Sequence, residues 1–145
     1  MQISQPAAVQ QTSPATKTYK IGDTGPGGGI VFWVSGNSGK EVSRHLGELN
    51  WYDAIRTAKN YTGGGFSDWH LPSKDELNLI YENLHKYENM HKSGVVDLIG
   101  ENSPWFWSSN PDEFIDYAVL QYFKTGFQFP DLKDRPVAVR AVRAF

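Results

Sequence analysis

The tetrad Ser73-Lys74-Asp75-Glu76 constrains this chain more than any other short stretch. A serine followed three residues later by a glutamate forms a capping box. The Ser73 hydroxyl accepts the Glu76 amide, and the Glu76 carboxylate accepts the Ser73 amide. Pro72 stands just before it, and Leu77, Ile80, Tyr81 and Leu84 follow at helical spacing. A helix therefore starts here. A second stripe, Trp51, Ala54, Ile55 and Ala58, predicts an earlier helix over 51–60, closed by Gly63-Gly64-Gly65.

Outside the helices the period changes. The apolar run Ile30–Val34 predicts a buried strand after a glycine-rich turn over 22–29 and before a polar, hairpin-like loop over 35–40. Trp105–Trp107 and Tyr117–Phe123 predict further strands, with a turn over Asn110–Glu113. Val95–Ile99 is assigned a short helix, and 127–136 a loop holding Pro130 and Pro136. Val137–Phe145 alternates and predicts a closing strand. The order is strand, two helices, then strands, which predicts an α+β fold with a mixed, mainly antiparallel sheet. The two ends of the domain are expected on adjacent strands. Trp51, Trp69, Leu77, Ile80, Trp107, Val139 and Val142 are the expected core.

The length of 145 residues suits one domain. Residues 1–18, rich in Gln, Pro, Ser, Thr and Ala, read as a flexible tail or linker without the basic start and apolar stretch of a signal peptide. The domain is placed at 19–145. Fourteen basic against sixteen acidic residues give a formal charge of -2, which argues against nucleic acid as partner. No apolar run reaches spanning length, so no membrane insertion is expected. The absence of cysteine removes disulfides, thiolate metal sites and cysteine nucleophiles.

Catalytic patterns are missing. The glycine clusters lack a P-loop ending, no serine sits in G-x-S-x-G, and no histidines stand at zinc spacing. The chain is read as a binding protein, with an uncharacterised enzyme on the same fold as one alternative. No cofactor is expected. Calcium is the one candidate ion, through Asp112, Glu113 and Asp116, although a solvated acidic turn is the preferred reading.

Several ordered blocks resemble one family. They are Tyr19–Phe32, with its Gly-Asp-Thr-Gly-Pro-Gly-Gly-Gly centre; Gly63–Leu77, with Ser67-Asp68-Trp69-His70-Leu71-Pro72-Ser73; Trp107-Ser108-Ser109; and Val139–Phe145. Together they resemble the C-terminal domain of the Legionella collagen-like adhesin, a C-type-lectin-like fold of bacterial surface proteins. The resemblance implies a secreted or cell-surface setting, non-enzymatic binding of host or matrix glycans such as sulfated glycosaminoglycans, and a homotrimer. The chain is also similar to the variable proteins of diversity-generating retroelements, which implies a protein ligand as the alternative.

The ligand surface is expected in the C-terminal third. Trp105, Tyr122 and Phe127 offer rings, and Asn110, Asp112, Glu113 and Gln128 offer polar groups. Lys124, Lys133 and Arg135 form a local cationic excess suited to sulfate or carboxylate. Arg140 and Arg143 are expected to pair with carboxylates at the core edge instead.

Overall fold

The apolar run at 30–34 and the alternating C-terminus meet through a strand that patterning alone does not reveal. The computed structural model describes residues 17–85 and 104–145. In it β1 (Ile30–Ser35) turns at Gly36, φ 59°, into β2 (Ser38–Val42). Glycine takes that positive φ without strain. The stretch 35–40, expected as a loop, is thus a tight hairpin whose second half is strand. β2 lies between β1 and β8 (Val142–Ala144) in a three-stranded antiparallel sheet. The ends are neighbours without sharing adjacent strands, because β2 separates them. Tyr19 still meets Phe145 as an edge-on ring pair at 4.9 Å.

The second sheet has five strands in the order β3-β7-β4-β5-β6. They are β3 (Glu48–Leu49), β4 (Trp105–Pro111), β5 (Tyr117–Tyr122), β6 (Gln128–Leu132) and β7 (Val137–Ala138). All pairings are antiparallel except β4 with β7, at Phe106 and Ala138. β6 corrects the loop expected over 127–136. Its residues pair one for one with 117–121, and an edge strand tolerates Pro130. Asn110 and Pro111, expected in a turn, end β4, and the turn follows over 113–116.

The closing strand divides between the sheets. Between β7 and β8 the Ser43 amide donates to the Ala141 carbonyl and the Leu46 amide to the Val139 carbonyl, both at 2.8 Å. Residues 39–49 and 137–145 therefore form one long ladder. From Val42 to Glu48 six residues advance, against four from Val142 to Ala138. The extra residues bulge, and the ladder bends from one sheet into the other.

α1 (Trp51–Asn60) starts at Asn50, whose side chain accepts the Asp53 amide at 2.9 Å. α2 (Lys74–Ile80) has both arms of its capping box, at 3.1 and 2.9 Å, and runs on as a π-helical turn over Tyr81–His85. The helix expected at 95–99 and most of the expected tail lie outside the described residues.

The five-stranded sheet separates two cores, because successive side chains on a strand point to opposite faces. Phe32, Leu77, Ile80, Leu84, Phe106 and Phe123 fill one side. Trp51, Trp69, Trp107, Leu120 and Val139 fill the other. Every residue expected in the core is buried. Each buried indole N–H has a carbonyl: Trp51 donates to Ser108, Trp69 to Gly63 and Trp107 to Leu49.

A buried ion pair joins these parts. Glu41, wholly buried, accepts the Gly27 and Gly29 amides and the Arg143 guanidinium, each at 2.8 Å. Arg143 also donates to Asp68 at 2.7 Å and lies 3.7 Å over the Phe66 ring. The carboxylate partners expected for Arg143 are present. Arg140 donates to the Ser43 carbonyl at 2.9 Å.

The capping glutamate makes stability depend on pH. Glu76 Oε1 lies 3.3 Å from His70 Nε2, and Oε2 accepts Lys40 Nζ at 2.9 Å. Burial, the largest single influence, pushes Glu76 up. Hydrogen bonds from His70, the Ser73 amide and Lys40 together outweigh it and hold the carboxyl at about 2. The same bond to Glu76 raises His70, against the effect of burial. A depressed carboxyl stabilises fully above its ordinary 4.5, and that stability is lost as pH falls towards about 2. A raised histidine stabilises fully below its ordinary 6.5, and that stability is lost as pH rises through its folded value. Melting curves of wild type and Glu76→Gln should therefore differ most between these two ordinary values, draw together as pH falls towards about 2, and lose only the histidine's share of the difference at high pH. Trp107→Ala should cost about 3–5 kcal/mol, because a buried ring leaves a cavity. Denaturant midpoints at unchanged slope would measure that loss.

Candidate ligand-binding site

Side-chain alternation on β4, β5 and β6 decides which of the expected residues can act together. Trp105, Tyr122 and Phe129 share the face that carries Trp107 and Leu120. The Trp105 and Tyr122 rings lie 4.2 Å apart at 32°, and Phe129 meets Trp105 edge-on at 5.3 Å. All three are half-buried. Beside them opens a cleft of about 410 Å³ lined by Trp105, Leu120, Asp131, Arg135, Pro136 and Val137. The segment after β6 crosses this face to reach β7, which carries Arg135 over the cleft. Arg135 Nε lies 3.1 Å from Asp131 Oδ1, which also accepts the Leu132 amide at 2.8 Å. The Trp105 ring, a carboxylate and a guanidinium thus meet in one concavity, with Tyr122 and Phe129 packed against Trp105.

Two expected residues bond to the start of α2 instead. Asn110 Oδ1 accepts the Lys74 amide at 2.8 Å, and Gln128 Nε2 donates to the Lys74 carbonyl at 2.7 Å and to Gln121 Oε1 at 3.0 Å. These bonds tie the sheet to α2. Neither residue lines the aromatic cleft.

Asp112 and Glu113 sit past the far end of β4, where Asp112 accepts the Phe114 amide at 3.2 Å. With Phe114, Tyr117 and Pro130 they line a separate depression. Lys124 and Phe127 lie in the turn between β5 and β6, Phe127 with 70% of its surface exposed.

The three expected cations do not form one patch. Arg135 is engaged by Asp131. Lys133 Nζ donates to the Ile115 carbonyl and lies 4.7 Å over the Trp51 ring and 5.6 Å from that of Tyr52. Lys124 lies at the opposite end of the β5–β6 hairpin from Lys133.

Lys133 belongs to a larger cleft of about 610 Å³, with Asn50, Tyr52, Asp53, Arg56, Asp116, Leu132 and Asp134. Sequence reading missed this cleft because its banks come from α1, the β4–β5 turn and residues 132–134, about 60 to 80 residues apart in the chain. The one sequence signal was the polar, exposed side of the α1 stripe. Among the described residues no group of three or more His, Cys, Asp or Glu side chains is arranged to hold a metal ion.

The clamp at Lys133 changes what its removal should do. Lys133→Ala loses a hydrogen bond and a cation–π contact, and should destabilise the fold by about 1 kcal/mol. Lys124→Ala, at an exposed turn, should leave the melting temperature unchanged. Thermal denaturation of the two variants side by side tests the distinction.

Among known families, the Lcl C-terminal domain matches residues 30–143 of this chain. No curated protein matches it.

Proposed function

Since the chain belongs to the Lcl C-terminal domain family, which carries an adhesin-like role, we propose that it is a non-enzymatic recognition module, secreted or held at the bacterial surface, that takes a glycan in the cleft beside Trp105. The observation that carries this reading is the half-buried ring wall of Trp105, Tyr122 and Phe129 next to the Asp131–Arg135 pair. A sugar ring has an apolar C–H face, which an indole covers well. Its hydroxyls both donate and accept, which a carboxylate and a guanidinium side by side can satisfy together. The platform stands on paired strands, so little ordering is needed on binding.

Separation of the cations favours a neutral sugar over a densely sulfated one. The Asp131 carboxylate at the cleft also disfavours sulfate beside Arg135. Lys124 and Phe127, in the neighbouring turn, are available to a longer chain that runs past Tyr122.

The experiment is a glycan array followed by titration of the hits. Trp105→Ala should weaken a genuine hit at least tenfold, and Arg135→Gln should weaken it as well. A neutral ligand keeps its affinity from ~0.05 to ~0.5 M salt, while a sulfated one loses it as exposed charges are screened. A wild-type chain that binds no glycan, or a hit indifferent to Trp105→Ala, would overturn the reading.

A further inference from the structure

The turn between β4 and β5 exposes large apolar side chains that the fold does not use. Ile115 is 80% exposed, Phe114 66% and Tyr117 36%. Isolated apolar residues on a surface are ordinary, but three of them within the four residues Phe114–Tyr117 form a patch that water disfavours.

The turn is held in shape from within. The Asp112 amide donates to the Tyr117 carbonyl and the Tyr117 amide to the Phe114 carbonyl, both at 3.0 Å. Lys133 grips the Ile115 carbonyl from below. Phe114 and Tyr117 pack edge-on at 6.4 Å, so the crest is presented and not merely loose.

The charged side chains of the turn itself have one sign. Asp112, Glu113 and Asp116 flank the apolar side chains within five consecutive residues, Asp112–Asp116. Lys133 and Arg56 are already committed. Lys133 points into the fold over Trp51 and Tyr52, and Arg56 across the cleft is paired with Asp53. A second copy of the chain docked on this face by two-fold symmetry would set these carboxylates against each other. Strand addition along β6 is also disfavoured, because Pro130 interrupts the donors of that edge.

We propose that the Asp112–Tyr117 turn is a protein-docking surface for a basic, apolar segment of another protein, which covers Phe114 and Ile115 and sets Lys or Arg side chains against the flanking carboxylates. Side-chain contacts, and not strand pairing, make this interface. Tyr117 and Pro130 alternate to the sheet face opposite Leu120 and Asp131, and the depression they line shares no residue with the glycan cleft, so the two are separate. The chain would thus engage a sugar and a protein through different surfaces.

Selection from a phage-displayed library of random peptides tests this. The wild-type chain should enrich peptides rich in Lys or Arg together with Leu, Phe or Trp. The affinity of the recovered synthetic peptides should fall at least tenfold with Phe114→Ser/Ile115→Ser, and likewise with Glu113→Lys/Asp116→Lys. Both double variants alter exposed side chains, so their melting temperatures and glycan binding should match the wild type. Three outcomes overturn the proposal: peptides enriched equally by Phe114→Ser/Ile115→Ser, enriched peptides that are acidic, or no enrichment at all. Sedimentation in which the wild type self-associates and Phe114→Ser/Ile115→Ser does not would assign the crest to a second copy, and would overturn it too.

Discussion

The fold turns on a carboxylate that has no access to water. Glu41 is the last residue but one of β2, and removing such a charge from solvent is costly unless it is paired and hydrogen-bonded. The Gly27 and Gly29 amides and Arg143 supply those bonds. This requirement explains the glycine-rich stretch that opens the domain. A Cβ on Gly27 would fall 2.8 Å from the Glu41 carboxylate and 2.9 Å from the Trp69 ring, and one on Gly29 2.6 Å from the Val42 carbonyl. Only bare backbone comes close enough. Arg143 then carries the constraint outwards to Asp68 and the Phe66 ring, so the opening turn, β2, β8 and the segment before α2 assemble around one charge pair.

Legibility followed the range of the interactions. The capping box and the α1 stripe are written within single turns of helix, so both helices could be read from the chain. The large apolar residues of the core could also be read, since burial depends mainly on their own chemistry. β2 and β6 could not, because Ser38–Val42 and Gln128–Leu132 carry charged residues and a proline. Their strand character comes from partners supplied by β1, β8 and β5. The closing strand was visible, but its bend was not, because the bulge that causes it sits on residues 43–47 of the other strand. Nothing local marked Glu41 as buried.

The candidate site was legible in its residue types and not in its geometry. Trp105 and Arg135 line one cleft and Tyr122 stacks on Trp105, while Asn110 and Gln128 serve the start of α2. The difference is one of facing. Gln128 and Phe129 are neighbours in sequence, yet a strand sends them to opposite sides of the sheet. Lys133 and Arg135 are two residues apart and reach different clefts, because the chain turns between them: the Arg135 amide bonds back to the Leu132 carbonyl at 3.1 Å. A cluster of like charges in sequence is therefore a poor guide to a cluster in space.

The contact between Tyr19 and Phe145 has a topological consequence. The Gly39 and Phe145 backbones exchange both hydrogen bonds at 2.9 Å, and the Tyr19 ring closes over the same spot. Because residues 19 and 145 meet in space, the segment they bracket is a portable cassette. It can be spliced into a surface loop of an unrelated host as easily as appended to one, and a short peptide joining 145 to 19 would allow new ends to be cut elsewhere.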